Sequence, residues 1–165
     1  MTKRLLLVLV MALSTLGTTA AVAPPAATAS TTTTAAFANQ VEVAITKYTN
    51  LHRRSHGRRA VAVHSCVDRY AEAWAGRLAS TGRFYHRSWR TITSGCHKSY
   101  ASENIARYRL GTAGSTPDAL GKRIVQMWMN SSGHRANLLS SKARTTGVGV
   151  RKSGATWYMV QNFAS

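Results

Sequence analysis

Acidic residues are scarce in this 165-residue sequence, which has 22 lysines and arginines but only five aspartates and glutamates. Its formal net charge is therefore +17 at pH 7. Such a charge favours anionic partners, for example wall polymers, phospholipid surfaces or nucleic acid. Acid–base or metal chemistry would have to use one of a very small set of carboxylates. These are Glu42, Asp68, Glu72, Glu103 and Asp118.

Long apolar runs are absent except at the beginning of the sequence. The run at residues 5–13 follows two basic residues and is too short to span a bilayer. Small residues follow it in Ala-x-Ala-like patterns. Residues 1–29 are therefore predicted to be a secretory signal peptide, with cleavage after Ala20 or Ala29. The sequence predicts a secreted, extracellular protein without a transmembrane anchor.

The remainder of the sequence has the size of one domain. Residues 30–36, which are serine, threonine and alanine, predict a short disordered leader. Residues 37–165 are predicted to form a single folded domain. Because the signal peptide would remove two basic residues and no acidic one, the mature chain would carry a net charge of +15.

The only cysteines are Cys66 and Cys96, and they form no Cys-x-x-Cys motif. In an exported chain, such a pair predicts one disulfide, which would close a loop of about 30 residues. A catalytic thiol is the alternative, because Cys66 precedes a strong helical pattern and helix N-termini lower thiol pKa values. A cysteine peptidase using Cys66 is therefore one functional hypothesis.

The signatures of common hydrolases are missing, since the sequence has no His-Glu-x-x-His, no Gly-x-Ser-x-Gly and no Asp-x-x-Asp pair. The densest basic segment is "HRRSHGRR" at residues 52–59. It contains no interleaved aromatic residues, which argues against specific nucleic-acid binding. Arginine forks suit phosphate and carboxylate oxygens. An anionic-ligand patch is therefore predicted at Arg53, Arg54, Arg58 and Arg59.

Periodicity predicts an α+β fold. Apolar spacing of three and four residues predicts helices at about 37–54, from Ser65 to Gly82, and from Thr116 onward. Alternating apolar residues around a turn at residues 152–154 predict a β-hairpin at the end of the chain.

The middle of the chain is less regular. "RTITS" at residues 90–94 predicts a short strand, whereas residues 103–110 fit a helix or a strand. Together the pattern favours helices packed against an antiparallel sheet.

Two histidines stand next to distinctive segments. His86 follows the second helix, His134 follows the third, and Glu103 lies between them in the chain. Two histidines and a carboxylate suit a divalent metal such as zinc with one open position. They also suit general acid–base chemistry. The structural alternative is that His134 satisfies buried polar groups.

Four segments, in order, resemble the CAP superfamily of cysteine-rich secretory, antigen-five and pathogenesis-related proteins. They are "AEAWAGRLASTGRFYH", "ENIA", "VQMWMNSSGHRANLL" and "GVGV…WYMVQNF". The resemblance covers about residues 39–164 and is greatest to short secreted bacterial members. It implies an α-β-α sandwich with a central cleft that contains two histidines and two acidic residues. In some members this cleft binds zinc or another divalent ion.

The resemblance assigns the cleft positions residue by residue. His86 matches the first histidine, Glu103 the glutamate, and His134 the second histidine. The family's other acid falls near Ser131, where this sequence has none, and Ser102 replaces the usual glycine before the glutamate.

The leading functional hypothesis is a secreted CAP-domain protein that binds a metal ion, a lipid or an anionic wall ligand. A metal-assisted hydrolase acting on peptide or wall substrates is another alternative.

Overall fold

The computed structural model describes residues 26–110 and 115–165. Its helices are α1 (Ala26–Ser55), α2 (Ser65–Thr81), α3 (Arg90–Cys96), α4 (Pro117–Met129) and α5 (Ser132–Leu138). Its strands are β1 (Ala62–Val63), β2 (Ala101–Arg109), β3 (Thr145–Ser153) and β4 (Thr156–Ala164). Among these residues no helix is long and apolar enough to cross a membrane.

The four strands form one sheet in the order β1-β3-β4-β2. β3 and β4 form the predicted hairpin, and β2 runs antiparallel to β4 from Ala101 opposite Ala164. The short strand β1 is parallel to β3, so the sheet is mixed at this edge, whereas its other pairings are antiparallel as predicted. Parallel pairing requires a long connection, which residues 64–144 provide between β1 and β3.

Helices cover both faces of the sheet, which confirms the predicted α+β class and its helix–sheet–helix layers. α2 packs on one face, where it contacts Ile105, Tyr158 and Val160. α1 and α4 cover the other face around Trp128, which is 2% exposed. This two-sided burial explains why side chains along β4 are buried on both faces.

Glycines in β3 allow α2 to lie directly on the strand. A Cβ atom at Gly147 would collide with the backbone of Asp68, and one at Gly149 with the backbone of Ala71. The "GVGV" pattern therefore reflects a close helix–strand contact, in which any larger residue would push the helix away.

α1 is longer than the sequence predicted. It begins at Ala26 and therefore includes residues 30–36, which the sequence assigns to a short leader. No glycine or proline interrupts residues 26–55, and alanine is the strongest helix former. Phe37 also anchors this helix, because its ring packs 4.8 Å from that of Trp157. Of the predicted signal peptide, residues 1–25 lie outside the described residues.

The segment predicted as a short strand is helix α3 instead. Its buried residues, Ile92 and Cys96, are four positions apart and face Val67 and Ala164. Burial at helical spacing therefore outweighs the strand propensity of its β-branched residues. The second ambiguous segment, residues 103–110, falls mostly in strand β2.

The predicted disulfide between Cys66 and Cys96 is confirmed, with Cα atoms 5.8 Å apart. It ties the first turn of α2 to the last residue of α3. Since the sequence has only these two cysteines, Cys66 is not a free nucleophile in this structure. The cysteine-peptidase hypothesis is therefore wrong.

Carboxylates protect the outer edge of β3 beyond its short pairing with β1. Val148 N–H donates to Asp68, and Val150 N–H donates to Glu42, both at 2.9 Å. Arg151 lies between Glu42 and Glu72, at 3.6 Å and 2.7 Å.

Burial is the main reason why the pKa of Glu42 rises to about 7. The negative charges of Glu72 and Asp68 act in the same direction, while the Val150 N–H and Arg151 act against it. Three of the five carboxylates thus serve the fold at this edge.

Candidate ligand-binding cleft

The three predicted site residues come together beside β2. His86 lies in the irregular segment after α2, and its Nδ1 is 2.9 Å from Oε1 of Glu103. His134 lies in the first turn of α5, and its ring centroid is 6.3 Å from that of His86. Side chains distant in the sequence therefore form one cluster, which we call the candidate cleft.

Two asparagines hold α5 against β2. Asn137 Nδ2 donates to the Glu103 carbonyl at 3.1 Å and to Asn104 Oδ1 at 3.0 Å. Asn104 Nδ2 in turn donates to the His134 carbonyl at 3.1 Å. Because these bonds connect the Glu103 and His134 segments directly, they fix the position of the two side chains relative to each other.

Arg87 is the second charged group next to Glu103, and no sequence motif pointed to it. Its Nε lies 3.5 Å from Glu103 Oε2, which is an ion pair without hydrogen-bond geometry. Its guanidinium packs over the rings of Tyr70 and Trp74. When the Asn162 amide is oriented so that both its oxygen and its nitrogen have partners, its side-chain oxygen accepts a hydrogen bond from Arg87 Nη2 at 2.8 Å.

His86 and Arg87 both contact the carboxylate of Glu103 but differ in exposure. The His86 side chain is 53% exposed, whereas the side chains of Arg87 and Glu103 are 8% and 6% exposed. The charged pair is thus buried beneath an accessible imidazole. The only signal of this in the sequence is the adjacency of the two residues.

Burial shifts two pKa values at the cleft. The pKa of Glu103 is raised mainly by burial, against the hydrogen bond from His86 and the charge of Arg87. The pKa of His134 is lowered, first by burial and then by the nearby His86. Both shifts disfavour the charged form of the group.

A zinc centre does not fit this arrangement. Structural zinc takes four protein ligands and catalytic zinc usually three, and no group of three or more His, Cys, Asp or Glu in the described residues could hold a metal. Glu103 is occupied by His86 and by the Arg87 backbone and side chain.

The two histidine rings also stand apart. A tetrahedral ion about 2.1 Å from one nitrogen of each ring would bring the centroids to roughly 5 Å, less than the 6.3 Å observed. Glu103 is already hydrogen-bonded to His86, so it orients this histidine and is not placed as a third ligand.

Arg53 is not part of the predicted anionic-ligand patch, because its side chain is buried and it is only 1% exposed. It donates to the carbonyls of Arg59, Leu138, Ser140 and Ala143 at 2.8–3.3 Å. Its role is structural, since it joins the end of α1 to the chain that follows α5.

The other three arginines of that patch, Arg54, Arg58 and Arg59, are exposed.

The structure thus combines helix–sheet–helix layers around a four-stranded sheet with one disulfide. The family model of the cysteine-rich secretory protein family, CAP, matches residues 46–163, and the chain belongs to this family. This confirms the resemblance found in the four sequence segments.

One relative is a bacterial protein. The chain is 30% identical over 123 residues to the uncharacterized protein YkwD of Bacillus subtilis, covering 70% of this chain and 44% of that protein. It therefore spans less than half the length of this relative.

Two solved bacterial structures share the fold. An extracellular protein of Bacillus anthracis with an SCP domain has a TM-score of 0.62 at 25% identity, covering 77% of this chain and 41% of its own. An outer surface protein of Borrelia burgdorferi has a TM-score of 0.63 at 15% identity, covering 77% of this chain and 92% of its own.

Proposed function

We propose that this chain is a secreted CAP-domain binding protein that takes an anionic extracellular ligand at the cleft formed by His86 and His134. The observation that carries the proposal is the charge arrangement. The only carboxylate of the cleft is paired with Arg87 and His86, and the imidazole of His86 remains accessible. An anion can thus approach the two imidazoles without facing an unpaired carboxylate.

Net charge and compartment support the same conclusion. A chain with a charge of +17 attracts polyanions. The disulfide and the amino-terminal signal pattern fit an oxidising, extracellular environment. The relatives described as extracellular and outer surface proteins agree with this placement.

Arg54, Arg58 and Arg59 would contribute to binding by long-range attraction. They are exposed at the end of α1 and in the loop that follows it. Exposed charges are screened beyond about 8 Å at physiological ionic strength. Their contribution should therefore decrease steeply as salt rises.

The hydrolase alternative gains no support from the cleft. Glu103 is the only carboxylate there, and it is held by a hydrogen bond from His86 and by Arg87. A general base must be within reach of the proton that it removes. A carboxylate buried beneath His86 is poorly placed to activate a water for an exposed substrate.

Titration of the full exported protein with inorganic tripolyphosphate tests the proposal. The ring signals of His86 and His134 are followed by nuclear magnetic resonance at pH 6.0 and pH 7.5. We expect both to shift, with tighter binding at pH 6.0 because the anion stabilises the protonated imidazoles. The variants His86→Gln and His134→Gln should each weaken binding about tenfold, as expected for a lost charge-assisted hydrogen bond.

The matched control is His97→Asn. His97 is exposed, and asparagine tolerates the left-handed backbone conformation at this position. It should bind tripolyphosphate as the unmodified protein does. Zinc is titrated in parallel. Saturable shifts of both rings by zinc at micromolar concentration, without shifts by tripolyphosphate, would show a cation site and overturn the proposal.

A further inference from the structure

An aromatic segment borders the cleft and has no role in the packing of the core. It is "RFYHRSWR" at residues 83–90, which connects α2 to α3. Phe84, Tyr85 and Trp89 are 39%, 39% and 51% exposed. They are three of the seven large apolar side chains exposed in the described residues, and they lie within six positions. Clustered exposed apolar side chains mark an interaction surface.

Each of these aromatic rings has its own guanidinium. Arg107 packs over Phe84 at 5.3 Å, Arg83 over Tyr85 at 5.5 Å, and Arg90 over Trp89 at 5.0 Å from the ring centroid. We call these three rings with their three arginines the aromatic–arginine rim. Tyr85 is held further by an edge-to-face contact with Trp74 at 5.1 Å. The contacts order the side chains before any ligand arrives, which reduces the entropy lost on binding.

The arginines of the rim lack acidic partners. None of them forms an ion pair with any of the five carboxylates, all of which lie in the described residues. Glu103, the carboxylate of the candidate cleft, is paired with Arg87 and His86. The rim thus offers apolar ring faces and unpaired positive charges side by side.

We propose that the aromatic–arginine rim binds an anionic polysaccharide, with sugar rings stacked on Trp89, Tyr85 and Phe84 and their acidic groups on the neighbouring arginines. This inference rests on the proposed function and names its ligand class, since the rim and His86 belong to one segment. A pyranose ring has a C–H face that packs on an aromatic face, while its carboxylates accept bidentate hydrogen bonds from arginine.

The observations favour a polysaccharide over a membrane surface. Insertion of the three rings into the acyl region would carry three guanidiniums with them, and charged groups are costly there. Single-stranded nucleic acid is also recognised by aromatic stacking and positive charge. The disulfide fits an oxidising compartment outside the cell, which favours an extracellular polysaccharide over nucleic acid as the polyanion.

Isothermal titration of the full exported protein at low salt compares hexagalacturonate, which has rings and carboxylates, with tripolyphosphate, which has charge and no rings. We expect Trp89→Ala to weaken hexagalacturonate binding about tenfold, as for a central interface aromatic. Tripolyphosphate binding should change by less than about twofold. Trp89→Phe should restore most of the affinity, because it keeps an aromatic face.

Matched controls separate the rim from general effects of charge and apolar exposure. Arg90→Gln should weaken hexagalacturonate binding, whereas Arg77→Gln, at an exposed arginine on α2, should not. Leu51→Ala removes a comparably exposed apolar side chain from α1 and should leave binding unchanged. Neutral maltohexaose should bind at least about tenfold more weakly than hexagalacturonate.

The outcomes distinguish this inference from the proposed function. If tripolyphosphate binds through the histidines and Trp89→Ala leaves hexagalacturonate binding unchanged, the rim proposal fails and the proposed function stands. If hexagalacturonate binds through Trp89 and tripolyphosphate does not bind at all, the rim stands and the histidine site fails. Trp89-dependent binding of hexathymidylate or phosphatidylglycerol vesicles, without hexagalacturonate binding, would overturn the polysaccharide assignment.

Discussion

Replacement of Arg53 by methionine should strongly destabilise the domain, although the residue lies in the most basic segment of the sequence. Methionine keeps most of the side-chain length and removes all of the hydrogen-bond donors. The Leu138 and Ala143 carbonyls that Arg53 contacts lie at buried positions, at 2.8 Å and 3.3 Å from its nitrogens. Those at Arg59 and Ser140 are partly buried, at 2.8 Å and 3.1 Å.

The size of the effect follows from the carbonyls left behind. A buried carbonyl without a partner costs about 1–3 kcal/mol, and water can reach the two partly buried ones. Of the two buried carbonyls, that of Ala143 keeps a donor in Arg144 Nη1 at 3.2 Å, whereas that of Leu138 loses its donor. With about 1 kcal/mol for each lost hydrogen bond at the partly buried carbonyls, we therefore expect the free energy of unfolding to decrease by about 2–4 kcal/mol, a large share of the roughly 5–15 kcal/mol of a typical domain.

Urea denaturation followed by tryptophan fluorescence measures this loss, since Trp128 and Trp157 are buried. The control is Arg54→Met at the exposed neighbouring position, which should change the stability by less than about 0.5 kcal/mol. Arg53→Lys should be intermediate, because lysine keeps the charge but lacks the planar fork. A loss below about 1 kcal/mol for Arg53→Met, or an equal loss for Arg54→Met, would refute the structural role of Arg53.

Three further substitutions test the fold. Replacement of both Cys66 and Cys96 by serine should lower the free energy of unfolding by about 3 kcal/mol, measured in urea; an equal stability of the oxidised and substituted proteins would contradict it. Gly149→Ala should lower the free energy of unfolding by about 3 kcal/mol, because it forces α2 off β3. The control Gly76→Ala has open space around it and should raise the free energy of unfolding by about 0.5–1 kcal/mol in the same assay. Because the pKa of Glu42 is raised to about 7, the folded state retains a proton that the unfolded state releases, and stability is lost as the pH rises from about 4.5 to 7. Glu42→Gln should remove up to about 2 kcal/mol of this loss, measured by thermal melts at pH 5 and pH 8. An unchanged pH profile would show that Glu42 does not titrate in this range.

Much of the helical framework could be predicted because it depends on local chemistry. Gly82 ends α2 with a φ of 67°, a left-handed conformation that glycine adopts without strain. Thr116 caps α4 by accepting from the Ala119 N–H at 3.2 Å, and Pro117 follows as the first helical residue. Such signals require only a few neighbouring residues.

The role of Arg53 could have been found with closer attention to periodicity. Val41, Ile45, Thr49 and Arg53 recur every four residues, and all are at most 1% exposed. Position 53 therefore continues the buried stripe of α1. Residue type suggested a solvated patch, whereas helix geometry placed the side chain in the interior, where only backbone carbonyls were available as partners.

The position of Arg87 could not have been predicted from local sequence. Its partners, Glu103 and Asn162, lie on two different strands, and its packing against Tyr70 and Trp74 depends on how α2 sits on the sheet. Such a group becomes visible only when the strand pairing is known. The same holds for α3, whose burial depends on contacts with the far end of β4.

Two features of the candidate cleft support the proposal of an anionic ligand. The related family pattern has two acidic residues beside its two histidines, and this chain has Ser131 near the second of those positions. The remaining acid, Glu103, lies against the guanidinium of Arg87. A cleft with two unpaired carboxylates would attract cations. With one carboxylate absent and the other paired, the groups left to meet a ligand are imidazoles, which gain stability from an anion when they are protonated. Under the proposed function, the scaffold would therefore bind an anion, and the unpaired arginines of the neighbouring rim would extend that preference along the surface.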